Sequence, residues 1–365
     1  MRTGGHTMTT TDCQQAAVFD HPAFDDHEQV VFCSDAENGL TAIIAIHDTS
    51  LGPALGGCRM WSYPSSSDAV TDALRLSRGM TYKNALAGLD LGGGKAVILG
   101  DPRRDKTPAL MTAFGRKVAA LGGRYITAED VGISTDDIEI VAGETEHARG
   151  TLATGLGDPS PYTSLGVFYG IKAALAHRTG SDRLHGRRIV IQGLGHVGFG
   201  LAELLADHGA ELVVADIDAE RVDAAVARFG AETVAPNRAH TIEADVFAPC
   251  ALGAGLNETT IPELAAPIVA GAANNQLATE EDGERLLDRG ILYAPDYAIN
   301  AGGVISIALA KPGEGDEAVR RKVIAIGETL GQIFARADSE RRPTGAVADA
   351  IARERLTRDG KRKAA

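Results

Sequence analysis

The sequence predicts an α/β fold in two domains, the second a doubly wound parallel sheet. Three observations carry that expectation. The chain has 365 residues, more than one ordinary domain of about 100–200 residues. Residues 150–161 are rich in Gly, Pro, Ser and Thr without a hydrophobic period, the mark of a domain junction. Beyond it, short apolar runs at 189–192, 212–215, 246–248, 268–270 and 291–294 alternate with helical or loop segments, as strands buried on both faces of a parallel sheet do.

Residues 1–24 are polar and aperiodic, and read as a frayed tail. The first domain, 25–150, opens with β-rich runs at 29–33 and 40–46, followed by a Gly/Pro segment at 51–57 that reads as a tight loop. Ser67 or Asp68 can cap a helix whose inward positions Val70, Ala73, Leu74, Ser77 and Met80 keep the i, i+3, i+4, i+7 spacing. That helix delivers Lys83 at its C-terminal end. A strand at 96–99 follows Gly92, Gly93, Gly94 and Lys95; a helix near 110–121 and a strand at 125–127 close the domain. The second domain, 151–330, starts with a helix near 163–177 and contains the five parallel strands. Val323, Ile324, Ile326, Leu330, Ile333 and Phe334 mark a long amphipathic helix, and 331–365 reads as a C-terminal helical segment packing back on the first domain, with a basic, solvated end at Lys361, Arg362 and Lys363.

Composition excludes several classes of function. The net charge of −13 repels phosphate backbones, and aromatics are only 5%, which argues against nucleic acid as a partner. Apolar stretches such as 42–46 fall far short of the roughly 18 residues a membrane span needs, and no secretory signal is readable. Cys13, Cys33, Cys58 and Cys250 lie far apart, as reduced cytoplasmic thiols do, and the histidines offer no trusted metal spacing. The 43 glycines, about 12% against a usual share of about 7%, point to backbone approaching something closely.

One such place is Gly193-Leu194-Gly195-His196-Val197-Gly198, directly after a strand and opening a helix. Gly193 permits the tight turn, Gly195 lets a pyrophosphate approach the backbone, and Gly198 lets helix and strand pack closely, while the helix N-terminus offers free N–H groups. Asp216, followed by Ile217, ends the next strand about 20 residues on, where a carboxylate accepts from ribose hydroxyls and repels a 2′-phosphate. The expected cofactor is therefore NAD. His196, within the turn, is expected to face solvent. Gly94-Lys95 is no P-loop, since Leu89 and Ala96 stand where that motif needs Gly and Ser or Thr.

Glycine also gathers around Lys83 and Lys95. Two lysines twelve apart are ordinarily solvated charges, but Lys95 follows three glycines and precedes four apolar residues, so its stem enters a poorly solvated crevice. A desolvated ammonium near a second cation loses affinity for its proton and can serve as a base. Lys83 can supply that second charge and pair with a substrate anion, and Asp130, just past a strand, can exchange a proton with an amine.

These residues carry a family resemblance. Leu51-Gly-Pro-Ala-Leu-Gly-Gly57, Arg59-Met60-Trp61, Gly79-Met-Thr-Tyr-Lys-Asn84, Gly92-Gly-Gly-Lys95, Thr127-Ala-Glu-Asp130, Ala248-Pro-Cys-Ala-Leu-Gly253, Gly271-Ala-Ala-Asn-Asn-Gln-Leu277 and Ala294-Pro-Asp-Tyr-Ala-Ile-Asn-Ala-Gly-Gly303 resemble the amino-acid dehydrogenase family that contains leucine, valine and phenylalanine dehydrogenases, relatives of glutamate dehydrogenase. The resemblance runs over about residues 28–354. It implies NAD-dependent oxidative deamination of an L-amino acid to its 2-oxo acid and ammonia, the reverse amination, and a homo-oligomer. It further implies that Lys83 and the Gly56 backbone bind the substrate carboxylate, that Lys95 activates water against the imine, and that Asp130 handles protons at nitrogen. Asn275 would hold the substrate amine and Thr163 the nicotinamide amide, with Arg59, Cys250, Ala251, Ala273 and Asn274 along the cofactor.

The family's side-chain pocket falls on Leu55, Ala128, Val304 and Ile307, all small or aliphatic, which suits leucine, valine or isoleucine with weak discrimination among them. Ala128-Glu129-Asp130 resembles the leucine type, where phenylalanine enzymes usually have a glycine–proline–aspartate run. Two departures stand out. Cys58 replaces the usual Thr or Ala and reads as a small buried residue, and Leu309-Ala310-Lys311-Pro312-Gly313 replaces an acidic segment. Phenylalanine or another bulky amino acid is the alternative substrate, and an NAD-binding regulatory protein without catalysis the alternative class.

Overall fold

The computed structural model describes residues 18–151, 157–251, 253–311 and 315–364, with side chains to 357. Most of the expected tail, Cys13 included, five residues of the expected junction, Pro312 and Gly313 of the second departure, and the side chains of the basic end lie outside the described residues.

The first sheet is built from β1 (Gln29–Asp35), β2 (Leu40–Asp48), β3 (Ala54–Leu55), β4 (Cys58–Trp61), β5 (Gly92–Leu99) and β6 (Tyr125–Ile126). Its order is β1-β2-β5-β3-β6, with β4 also pairing with β5. β2 pairs antiparallel with both β1 and β5, while β3 and β4 run parallel to β5. Side chains alternate across the sheet. Ile43, Ala45 and Val97 pack on α1 (Ser66–Leu86), whereas Ile44, Ile46, Ala96 and Ile98 pack beneath α2 (Pro108–Ala119).

Each helix has a local cause. Ser65 caps α1, its hydroxyl accepting the Asp68 N–H at 3.2 Å, so the helix starts ahead of the expected Ser67 or Asp68. Pro108 in the first turn of α2 follows a Thr107 cap. A Ser134–Asp137 capping box starts α3 (Thr135–Ala142), a helix too short to show its period in the sequence.

The second sheet comprises β7 (Arg188–Gln192), β8 (Glu211–Ala215), β9 (Glu232–Thr233), β10 (Val246–Pro249), β11 (Ile268–Val269) and β12 (Leu292–Tyr293). All its pairs are parallel and the order is β12-β11-β10-β7-β8-β9, the doubly wound order with β7 and β10 flanking the switch point. Ile189, Ile191, Leu212, Val214, Val246 and Ala248 fill one face and Val190, Val213, Phe247 and Val269 the other. Burial on both faces explains why these strands read as unbroken apolar runs.

Around this sheet lie α4 (Ser160–Thr179), α5 (His196–Asp207), α6 (Ala219–Phe229) and α7 (Glu281–Asp288), then α8 (Asp296–Ile299), α9 (Gly302–Leu309), α10 (Glu317–Ile324), α11 (Ile326–Glu340) and α12 (Thr344–Ala364). The single long helix expected over 323–334 is therefore two helices meeting at Ala325, and the basic end continues α12 to Ala364. The last helix packs on both α11 and α1. Residues 18–24 are not frayed. Phe24 packs against Phe19 and the His27 ring, and His21 meets the Thr71 hydroxyl at 3.1 Å.

Candidate active site

The three glycines expected to precede a strand lie inside β5, because each lets another element approach. A Cβ on Gly92 would lie 1.9 Å from the Asp48 carbonyl oxygen, on Gly93 2.1 Å from the Thr81 nitrogen of α1, and on Gly94 2.8 Å from the Tyr125 ring. Gly93, Lys95 and Val97 share one face by the two-residue period, and that face looks at α1. Helix α1 thus lies directly on β5, which brings Lys83, in its last turn, to the neighbourhood of Lys95.

Lys95 is buried, and its Nζ is bonded to Asp130 Oδ2. Asp130 sits on a braced loop after β6. The Ala128 carbonyl accepts from Cys58 N–H at 2.8 Å, the Val131 carbonyl from Met60 N–H at 2.9 Å, and Lys106 ties the Gly132 carbonyl at 2.9 Å to Asp137 at 2.6 Å. Asp130 Oδ1 accepts the Val131 N–H at 2.7 Å, and Arg59 approaches Oδ2 at 3.7 Å. Burial opposes ionisation of Asp130, but Lys95 and Arg59 outweigh it and hold the carboxyl below its usual range.

Lys83 carries a weakened ammonium. Burial first, and then Lys95, push it down to about 8, against the opposing pull of Asp296 and Asp130. Spacing alone could not reveal that Asp130 is the partner of Lys95. Gly56 belongs to the same group: its carbonyl accepts the Tyr125 hydroxyl at 2.7 Å, and a Cβ there would lie 1.8 Å from the Gly94 carbonyl oxygen. Leu55 and Ala128 are buried beside it. Cys58 is fully buried and burial raises its thiol, as a small core residue requires.

From the second sheet come the glycine turn and its surroundings. Gly193 has φ +102°, and a Cβ there would meet the Ala251 nitrogen at 2.7 Å. A Cβ on Gly198 would lie 1.9 Å from the Gly193 carbonyl, so only glycine lets α5 sit this close to the turn. Around Gly195 nothing lies within 4 Å. This open cradle before the N-terminus of a twelve-residue helix fits a dinucleotide pyrophosphate. Asp216 accepts the Leu194 N–H at 2.5 Å and the Asp218 N–H at 2.9 Å; those backbone donors and Arg221 outweigh its partial burial and keep it ionised. Ile217 beside it is almost fully exposed, and Leu194 is buried. His196 is exposed, 3.3 Å from Asp158, and the Val197 carbonyl accepts the Ser164 hydroxyl at 2.8 Å.

Cys250 and Ala251 pack on Gly193 and Gly198, and Ala273 reaches back through its N–H to the Pro249 carbonyl at 2.9 Å. Asn274 Oδ1 accepts from Asn300 at 2.7 Å, while Asn275, with φ +51°, accepts the Ala254 N–H at 2.7 Å. Thr163 on α4 lies beside Gly303, and Val304 and Ile307 follow on α9, three residues apart and therefore on one face. Arg59, expected along the cofactor, is fixed within the first domain by Asp72 of α1 at 2.9 Å as well as by Asp130. Asp72, Tyr125 and Asp296 drew no functional expectation, because each acts through a neighbour that only the fold supplies.

Comparison with known proteins sets this geometry in a lineage. A model of the Glu/Leu/Phe/Val dehydrogenase dimerisation domain matches residues 27–147, and one of the glutamate/leucine/phenylalanine/valine dehydrogenases matches 155–222 and 214–311. The chain belongs to this family. Within it, the chain is similar to a leucine dehydrogenase of Geobacillus stearothermophilus, 51% identical over 91% of both chains, and to a valine dehydrogenase of Streptomyces virginiae, 45% identical over 96% of this chain and 99% of the other. Among solved structures, L-tryptophan dehydrogenase from Nostoc punctiforme superposes with a TM-score of 0.82 at 46% identity, covering 92% of this chain and 97% of that one. A hetero-hexameric glutamate dehydrogenase from Thermus thermophilus, at 24% identity and a TM-score of 0.75 over 91% and 89% of the two chains, shares the fold. The two-domain fold expected from the sequence is the family's.

Proposed function

We propose that this chain catalyses NAD-dependent oxidative deamination of a branched-chain aliphatic L-amino acid, leucine, valine or isoleucine, to the 2-oxo acid and ammonia, and the reverse amination. The observation that carries the reading is buried Lys95 paired with half-buried Asp130, with Lys83 on the adjoining helix face. A regulatory protein that only bound a dinucleotide would have no use for such a pair, since burying charges is costly.

In this reading Lys83 takes the substrate carboxylate and Asn275 holds the amine; the Gly56 N–H, expected to share the carboxylate, donates to the Ile126 carbonyl at 3.1 Å. NAD, when bound, supplies the hydride acceptor, and the residues for it are the glycine turn with Leu194, His196 and Val197, then Asp216, Ile217, Thr163, Arg59, Cys250, Ala251, Ala273 and Asn274. Asp216 favours NAD over its 2′-phosphate, because an ionised carboxylate accepts from a ribose diol and repels a phosphate. Lys95, as the free amine, takes a proton from the water that attacks the imine carbon. Its contact with Asp130 lets that proton pass to the carboxylate and on to the departing nitrogen. Leu55, Ala128, Val304 and Ile307 enclose the side chain by apolar burial.

Residues 25–150 then form the substrate and oligomerisation domain, 151–330 the dinucleotide domain, and 331–365 the helical segment that returns to the first. The assembly is a homo-oligomer, supported by the dimerisation-domain match. The free thiols of Cys33, Cys58 and Cys250 support a cytoplasmic setting.

The similarity to the tryptophan enzyme favours a second reading, a bulky aromatic substrate. A panel of L-amino acids with NAD at alkaline pH, followed by NADH absorbance, separates them. The branched aliphatic substrates should fall within about a hundredfold of one another in kcat/KM, since one methylene is worth only about 1–3 kcal/mol in an apolar pocket. A clear preference for tryptophan or phenylalanine establishes the second reading, and no turnover with any amino acid overturns both.

A further inference from the structure

Asp296 stands where the two sheets' contributions to the site meet. It opens α8 immediately beyond β12, and its Oδ1 lies 3.4 Å from the hydroxyl of Tyr293, which accepts the Asp296 N–H at 3.3 Å. The backbone N–H groups of Tyr297, Asn275 and Gln276 lie close enough to the same carboxylate to favour its charged form. Two of these belong to the turn that carries Asn275.

That turn is strained. Asn275 is one of four non-glycine residues with positive φ among the described residues, at +51°. Left-handed backbone costs a non-glycine residue about 1 kcal/mol or more and persists only where the surroundings over-determine it. The restraints here are identifiable: Ala254 N–H on the Asn275 carbonyl, the Gln276 amide bonded to the Gly271 and Ala273 carbonyls at 2.8 and 3.0 Å, and Asp296 on the N–H groups of Asn275 and Gln276.

On its other side Asp296 faces the first domain. Helix α8 packs on α1, and the charged groups gathered around Lys83 are Asp296 from α8, Lys95 from β5 and Asp130 from the loop after β6. Asp130 is already committed to Lys95 and Arg59. Asp296 is therefore the carboxylate left to Lys83. Burial pushes its own carboxyl up, and Lys83 together with the three backbone donors pulls it back.

We infer that Asp296 is a positioning residue for the reaction, clamping the Asn275 turn with one set of contacts and steering the Lys83 ammonium with its charge. The inference rests on the proposed function. A substrate gripped by its carboxylate at Lys83 and by its amine at Asn275 needs a fixed distance between those groups, which stand on different domains. A single carboxylate answering to both sets that distance at the moment the domains meet.

The test is Asp296→Asn, which keeps the shape and removes the charge, assayed with a branched 2-oxo acid at saturating NADH and ammonia. KM for the 2-oxo acid should rise about tenfold or more while kcat and NADH affinity change less than about threefold. The pH at which that KM begins to climb should move downward, because Lys83 loses the anion that favours its charge. In a Lys83→Gln background the same substitution should add little, since interacting residues are non-additive. Asp296→Glu retains the charge and should retain the wild-type pH profile; that profile stands as the decisive measurement if the Asn variant fails to fold. An Asp296→Asn enzyme with wild-type KM and pH profile overturns the inference, as does additivity with Lys83→Gln or an Asp296→Glu profile displaced from wild type. Inactivity of the wild-type enzyme toward every amino acid and 2-oxo acid strikes the proposed function instead.

Discussion

Lys83 and Lys95 stand twelve residues apart in the sequence and share one neighbourhood in the fold, yet their surroundings differ. Lys95 has Asp130 against its ammonium, whereas Lys83 has burial and a neighbouring cation that lower it to about 8. If Lys83 must be charged to hold a carboxylate, its grip is complete below that value and is lost as pH rises through it. The expected signature is a kcat/KM for the 2-oxo acid that falls above about pH 8, approaching tenfold per unit; a profile flat to pH 10 would remove Lys83 from the carboxylate role. For Lys95, substitution by alanine is expected to abolish turnover while NADH fluorescence titration still reports normal binding, because its contacts lie in the first sheet. Near-normal turnover would assign the base elsewhere. At this scale the lysines and Asp130 were legible because glycines and strand ends flanked them. Asp296 and Asp72 were not, since a carboxylate's partner 200 residues away or across a helix leaves no local mark.

Glycine shows how far single elements can be read. Apolar residues alone start the strand at Ala96, after Gly92, Gly93, Gly94 and Lys95; in the fold the glycines are already strand, and Asp48, Thr81 and Tyr125 press close on them. Long strands such as β2 and β7 announced themselves by apolar runs, while two-residue strands such as β3 and β9 carried too few side chains for any period to appear. Within the dinucleotide turn, two glycines serve different ends, and one experiment separates them. Gly195→Ala meets nothing within 4 Å, so thermal unfolding should be unchanged while NAD affinity collapses, the methyl occupying the pyrophosphate's place. Gly198→Ala drives a methyl into the Gly193 carbonyl and should cost about 1–3 kcal/mol of stability, lowering Tm before any cofactor is added. Equal effects of the two on Tm, or unaltered NAD affinity in Gly195→Ala, would dissolve that division.

At the scale of the whole molecule, α12 supports the first domain. Helix α12 returns from the second sheet to α1: Arg353 donates to the Tyr82 hydroxyl at 3.0 Å, and Arg355 donates to the Ala85 and Leu86 carbonyls at 3.0 and 2.6 Å. Those carbonyls belong to the buried last turn of α1, where backbone acceptors run out of helical partners and a cation is favoured. On the same helix, Asp349 accepts the Tyr297 hydroxyl at 2.5 Å, so α12 touches both the helix that carries Lys83 and the segment that begins with Asp296. The returning helix was legible in the sequence; its role as a strap was not, because nothing local shows that α1 lies opposite Arg353 and Arg355. Arg355→Ala should therefore loosen the last turn of α1 more than it loosens the core. Losing two charge-assisted hydrogen bonds is worth about 1.5–3 kcal/mol each at most, and less here because the arginine is only partly buried. The sharper effect is expected in kinetics: KM for the amino acid rises as Lys83 loses its fixed height above β5, whereas NAD affinity, set around Gly193 to Gly198 and Asp216, stays as it was. Steady-state assays varying each substrate in turn check this. A loss shared equally between amino acid and NAD would mean that α12 stabilises the molecule as a whole instead of bracing the lysine.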